Sequence, residues 1–332
     1  MKKILNDPYR YVDELLEGMA AAHPQYYAQT GTNGRVIARP GGARQGKVGI
    51  VTGGGSGHLP VFAGYVGQGL LDACAVGDVF ASPSVEQMAD AIRAANGGAG
   101  VLRLYGNYGG DIMNFDMAGD IVEMEDIPTT TVLVTDDVAS ASAAEAEKRR
   151  GVAGLVYAFK IAGAAAEAGG NLDEVTRRAQ KAADACRSIG VALTPCIVPQ
   201  AGKPTFEIAD DEMEIGMGIH GEPGVRVGKL EPADRIADEM IDMLLKDRPI
   251  KNGDRISPLV NSLGATPPEE LYILYRTVKK RIEAAGGEIV MPLVGRYATS
   301  MEMAGVSFTF CWLDDELERD LKAPAECAFW RV

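Results

Sequence analysis

Apolar and polar positions change period along the chain. KVGIVTG (47–53) is a run of β-type residues ending in glycines and predicts a buried strand. VEQMADAIRAAN (85–96) sets Val85, Met88, Ala89 and Ile92 on one helical face. GVLRLYGN (100–107) and TTTVLVTDD (129–137) predict two further strands, and an Ala-rich helical stretch follows over 140–168. GGN at 169–171 stops it, and Asn171 is a natural N-cap for a second helix over 171–188. Strands alternating with helices imply a mostly parallel sheet covered on both faces.

The pattern shifts near residue 190. VALTPCIVP (191–199) predicts a strand, and EMEIGMGIHG (212–221) alternates before ending in glycines. ADRIADEMIDMLLKD (233–247) is amphipathic through Ile236, Met240, Met243 and Leu244. RISPLVNSLG, PPEELYILYRTVKKRIEAAG, EIVMPLVG and VSFTFCWL then read as strand, helix, strand, strand. The expected fold class is α/β, with two domains each built on a sheet flanked by helices. Their expected spans are 1–190 and 191–332.

Composition narrows the function. The 332 residues suit two domains, and 46% hydrophobic with 24% charged residues is ordinary for a globular chain. A net charge of −13 repels phosphate backbones, which argues against nucleic acid and anionic membrane surfaces. No apolar run reaches the ~18 residues of a membrane span. The opening MKKILNDPYRYVDELLEG has no apolar signal core. Cys74, Cys186, Cys196, Cys311 and Cys327 are scattered without zinc spacing and read as reduced thiols of a cytoplasmic protein. Asp136–Asp137 and Asp314–Asp315–Glu316 read as solvated turn or capping residues. Asp111 and Asp116 do not share a helical face. No metal is expected on this chain.

Chemistry concentrates around two of the three histidines. His58 lies in TGGGSGHLP (52–60) and His220 in GMGIHGEPG (216–224), both glycine-rich loops after strand-like runs. Glycines let backbone approach a ligand closely, and an imidazole can serve as base, acid or nucleophile. His23 reads as surface or structural. GGGSGH is neither a dinucleotide fingerprint, because position 58 is His, nor a P-loop, because no Lys follows. Asp111, in YGNYGGDIMNFDMA (105–118), lies at an expected strand-to-helix turn, where it is either an N-cap or a ligand-facing carboxylate. The two loops share one expected sheet edge, so His58 and Asp111 can meet as a general-base pair.

TGGGSGHLPVFAGYVGQGLLDACAVGDVFASPS (52–84), GNYGGDIMNFDMA (106–118) and MGIHGEPGV (217–225), in that order, resemble the dihydroxyacetone kinase K (DhaK) family across nearly the whole chain. The resemblance implies two α/β domains, a homodimer, and a small ketose substrate. It assigns His220 the covalent hemiaminal with the substrate carbonyl, and His58 and Asp111 the base and hydrogen-bonding roles. Gly55, Ser56 and Gly57 line the implied pocket. Two positions depart from the family pattern: Gly106 stands where a Lys is common, and Leu59 where a Glu is common. Extra room at Gly106 suggests a longer ketose such as erythrulose as an alternative to dihydroxyacetone.

The same resemblance places ATP or ADP with Mg on a separate L-type subunit, so no cofactor is expected on this chain and activity requires that partner. The donor is either ATP directly or a phosphoenolpyruvate-fed phosphotransferase system. A nonenzymatic ketose-sensing coactivator and a nicotinamide-dependent oxidoreductase are the competing readings.

Overall fold

A computed structural model describes residues 2–332. The first sheet has six strands. They are β1 (Ala28–Thr30), β2 (Val36–Ala38), β3 (Gly49–Ser56), β4 (Ala73–Val79), β5 (Val101–Gly106) and β6 (Thr129–Val134), in spatial order β1-β2-β4-β3-β5-β6. The four from β4 to β6 are parallel, and β1 and β2 form an antiparallel margin. Helices α1 (Tyr11–Ala22), α2 (Val85–Ala95), α3 (Gly109–Glu123), α4 (Gly154–Glu167) and α5 (Leu172–Ala185) accompany it.

Strand alternation decides the layers. Val51, Val101 and Tyr105 join Met88 and Ile92 of α2 and Phe115 and Val122 of α3 on one face. Ile50, Leu102, Leu104 and Val132 point the other way, into a core shared with α4 and α5.

The second sheet consists of β7 (Cys186–Ala192), β8 (Glu212–Ile215), β9 (Arg226–Lys229), β10 (Arg255–Ser262), β11 (Glu288–Ile289), β12 (Leu293–Gly295) and β13 (Gly305–Leu313). Its order is β11-β10-β13-β7-β8-β9, with β12 also on β10. It is antiparallel from β10 to β9. Helices α6 (Ala233–Asp247) and α7 (Pro268–Ala284) cover one face through Ile236, Met240, Leu271 and Val278. The opposite face adds Cys186, Leu259 and Cys311 to the core that holds α4, α5 and α8 (Asp315–Lys322). Every residue of α4 from Gly154 to Ala166 is buried, because this helix lies between the two sheets. The α/β class is as the sequence predicts.

Four local expectations are corrected. The helix expected from 140 begins only at Gly154, after a 3-10 turn at Ala143–Lys148. Asp136 causes this: its carboxylate accepts the Val152 and Gly154 amides at 2.8 and 2.7 Å, fixing the α4 entry there. Asp136 and Asp137 are therefore buried, not solvated. Helix α5 stops at Ala185, since Cys186–Ala192 pairs with β13 in register; the strand expected at 191–199 thus lies earlier, and Leu193 and Thr194 turn away onto the Ala304 carbonyl. EIVMPLVG splits into β11 and β12 around Met291, whose φ is +46°, and Pro292. Asp314 does cap α8, accepting the Leu317 amide at 3.0 Å.

Candidate active site

The carboxyl ends of β3 and β5 and the β8–β9 turn converge on one cleft. After β3 the chain turns through Gly57 at φ +107°, a conformation reserved for glycine. A Cβ there would lie 2.7 Å from the Phe80 ring. The turn delivers His58, which is only 1% exposed. Its Nδ1 meets the Thr299 carbonyl at 2.8 Å, so Nδ1 carries the proton and Nε2 is the acceptor. Nε2 is buried without a partner. Burial, reinforced by His220, pulls the His58 pKa down to about 3, so the ring is neutral near pH 7.

His220 sits at the β8–β9 turn with glycines at φ +82° (Gly216) and +87° (Gly221) on either side. Its imidazole centroid is 4.8 Å from that of His58, 5.3 Å from Phe80 and 4.9 Å from Tyr108. Nδ1 bonds Glu222 Oε1 at 2.9 Å, and the His220 amide donates to Oε2 at 3.0 Å. Burial pushes the Glu222 carboxyl up, but the His220 hydrogen bond and charge outweigh it and leave the pKa lowered to about 2. A carboxylate on Nδ1 leaves Nε2 as the free lone pair.

Asp111 lies in the first turn of α3 and is 6% exposed. It is not the N-cap; Tyr108 holds that position. Burial raises its pKa to about 6 against the opposing effects of the Ser82 hydrogen bond and His220. Its Oδ1 has no partner. Among the described residues no hydrogen bond joins Asp111 to His58. His220 influences both groups, and the carboxylate that orients a histidine here is Glu222.

Gly106 does not leave open space. A Cβ on it would touch the Tyr108 ring at 3.1 Å. That ring fills the room and reaches His220, and its buried hydroxyl is unpartnered. Gly55 packs against the backbone at Phe80–Ala81, and Ser56 is buried at the end of β3. Leu59 is half-buried, its carbonyl accepting Thr299 Oγ1 at 3.0 Å. His23 closes α1, away from these groups.

Sequence reasoning missed several contributors. Glu222 stood inside the quoted HGEPG segment, where a carboxylate two residues from a histidine was the available signal. Tyr108 likewise stood inside GNYGGD. The segment 298–301 carried none. It is Ala-Thr-Ser-Met, yet the Thr299 carbonyl sets the His58 tautomer, the Met301 amide bonds the Gly57 carbonyl at 2.8 Å, and Ser300 Oγ donates to the Ile219 carbonyl.

The Dak1 domain family model matches residues 17–329. The chain belongs to this family. The dihydroxyacetone-binding subunit DhaK of PTS-dependent dihydroxyacetone kinase 1 from Listeria innocua is 45% identical over 332 residues, covering 99% of this chain and 100% of that protein. The L-erythrulose kinase of Pectobacterium atrosepticum is 44% identical over all of this chain but only 56% of its own length. Among solved structures, the dihydroxyacetone kinase operon co-activator DhaQ superposes with a TM-score of 0.88 at 34% identity, covering 96% of this chain and 97% of that one. This Dak1 chain is thus a DhaK-family protein. None of its helices, over the described residues, is long and apolar enough to cross a membrane.

Proposed function

We propose that this chain is the substrate-binding subunit of a small-ketose kinase and holds its sugar covalently on His220. One observation carries the reading. His58 Nε2, Asp111 Oδ1 and the Tyr108 hydroxyl are buried without partners, and each belongs to a residue that packs on His220 or feels its charge. Orphaned buried polar atoms are rare and costly, and a polyhydroxy ligand would satisfy them.

The chemistry follows from the tautomers. Nε2 of His220 adds its lone pair to the ketone carbon, and the C=O π pair moves to oxygen. The oxygen takes a proton, for which protonated Asp111 is the available acid. The Nδ1 proton stays on the ring, and the Glu222 carboxylate stabilises the imidazolium charge of the hemiaminal. A three- or four-carbon sugar has too few atoms for tight noncovalent binding, so the covalent bond supplies occupancy and selects ketones over polyols. The anchored sugar presents its terminal hydroxyl for in-line phosphoryl transfer, a reaction dominated by positioning. Ionised Asp111, with a pKa near working pH, takes the hydroxyl proton, while neutral His58 accepts a sugar hydroxyl hydrogen bond. The nucleotide and Mg come from an L-type partner subunit, and the K chains pair as a homodimer.

Intact-protein mass spectrometry with dihydroxyacetone and each erythrulose enantiomer tests this. Wild type should gain one ketose mass, and His220→Ala should gain none. An undiminished adduct on His220→Ala ends the proposal. The similarity to a co-activator supports a second reading, a ketose sensor. Turnover with an added L subunit favours the kinase, and a stable adduct without turnover favours the sensor.

A further inference from the structure

We infer that Arg150 positions the nucleophile by holding Glu222 and the loop that bears His220. The inference rests on the reading of His220 as the ketose anchor. Arg150 comes from the segment just before α4 and reaches the β8–β9 turn. Its Nε donates to Asp137 Oδ2 at 2.9 Å and its Nη2 to the Gly216 carbonyl at 2.9 Å, where the histidine loop departs from β8. Nη1 stands 4.0 Å from Glu222 Oε2, the oxygen that also accepts the His220 amide.

Asp137, Arg150 and Glu222 therefore form one chain of alternating charge that ends at Nδ1 of His220. The guanidinium is 14% exposed and Asp137 5%, so solvent screens the chain weakly. Gly218 fits the same device: a Cβ there would lie 2.4 Å from Arg150 Nη1 and 2.1 Å from Glu222 Oε2. A side chain at 218 would push the Glu222 and Arg150 ends out of their present places. With Glu222 fixed this way, Nδ1–H points at it and Nε2 faces the ketone. Without the guanidinium the carboxylate can rotate, and the lone pair loses its direction. Arg150 touches no substrate and is a positioning residue.

The test measures ketose adduct against ketose concentration for Arg150→Met, Arg150→Lys, Glu222→Gln and the Arg150→Met/Glu222→Gln double variant. Turnover at saturating ketose with an L subunit is the second readout. Arg150→Met should raise the half-saturating ketose concentration about 10- to 100-fold, the usual scale for losing a charged hydrogen bond such as that to the Gly216 carbonyl, with the 4.0 Å attraction to Glu222 lost alongside it. Turnover at saturation should fall much less. Arg150→Lys should recover part of the loss. Arg150→Met should add little in the Glu222→Gln background, a non-additivity that general loop damage would not produce. A wild-type saturation curve for Arg150→Met, or fully additive losses in the cycle, overturns the inference. If Arg150→Met does not fold, fully additive losses in the Arg150→Lys/Glu222→Gln cycle overturn it equally. An adduct that survives His220→Ala marks failure of the underlying reading instead.

Discussion

Asp111 shows how one side chain links stability to chemistry. Its folded-state pKa of about 6 lies above the ordinary 3.8, because the protein buries the carboxyl with little compensation. A raised acid costs nothing below its unfolded value, where both states are protonated. The cost grows as pH rises from about 4 to about 6 and is constant above that. Asp111→Asn should therefore gain on wild type across that window, reaching up to about 3 kcal/mol at pH 7. Chemical denaturation at pH 4 and pH 7 measures it, and an equal difference at both values contradicts the assignment. The activity moves the other way. Wild-type kcat at saturating ketose with an L subunit should climb with pH as Asp111 ionises, and Asp111→Asn should lose that limb with most of the rate. The neighbouring position 106 tests ketose length. Gly106→Lys crowds the Tyr108 ring, 3.1 Å from the new Cβ, and the Gly151 carbonyl at 3.2 Å. Adduct competition between erythrulose and dihydroxyacetone should shift toward the three-carbon sugar in this variant; an unchanged ratio separates position 106 from substrate length.

At the scale of elements, what could be read from the sequence depended on whether the signal was local. Helix α6 ends where its apolar stripe ends, and α2 begins at a capping box, with Ser84 Oγ accepting the Gln87 amide at 3.2 Å and Gln87 reaching back to the Ser84 amide at 2.8 Å. Such caps are legible because all their parts lie within one turn. The start of α4 was not, because the Asp136 that sets it lies 16 residues before Val152. The early start of β7 was not, because pairing with β13, more than a hundred residues later, overrides the helical pattern through Ser188. The site divides the same way. His58, Asp111 and His220 announced themselves through glycine-rich loops, whereas Thr299 contributes a carbonyl, which every residue has. Ser84→Ala should accordingly act on the element alone, costing about 1 kcal/mol by thermal or chemical unfolding. The ketose adduct should be unaffected; a large loss of adduct would mean that α2 also shapes the cleft.

At the scale of the whole molecule, the two sheets share rather than divide their core. Helix α4 is buried against both, its Tyr157 hydroxyl donating to the Ser257 carbonyl at 2.9 Å and Lys160 Nζ to the Asp320 carbonyl at 2.6 Å. Tyr65 of the first half donates to the Tyr297 carbonyl at 2.8 Å, and His58 to Thr299. Neither sheet can lose these partners without exposing the other's apolar face, so unfolding should be a single transition. Hydrogen exchange should give β3–β5 and β10–β13 the same opening free energy, and a first half that opens well before the second contradicts this. The ketose then reports on the same coupling. Under the proposed anchoring, a ligand bonded to His220 and hydrogen-bonded by His58 and Asp111 would cross the junction between the halves. At ~100 times its Kd it stabilises the native state by about 2.7 kcal/mol. With an unfolding entropy near ~2.1 cal/mol/K per residue, that raises Tm by about 4 °C. Both sets of peptides should gain protection together in wild type, and neither should in His220→Ala, since the bond that spans the junction no longer forms.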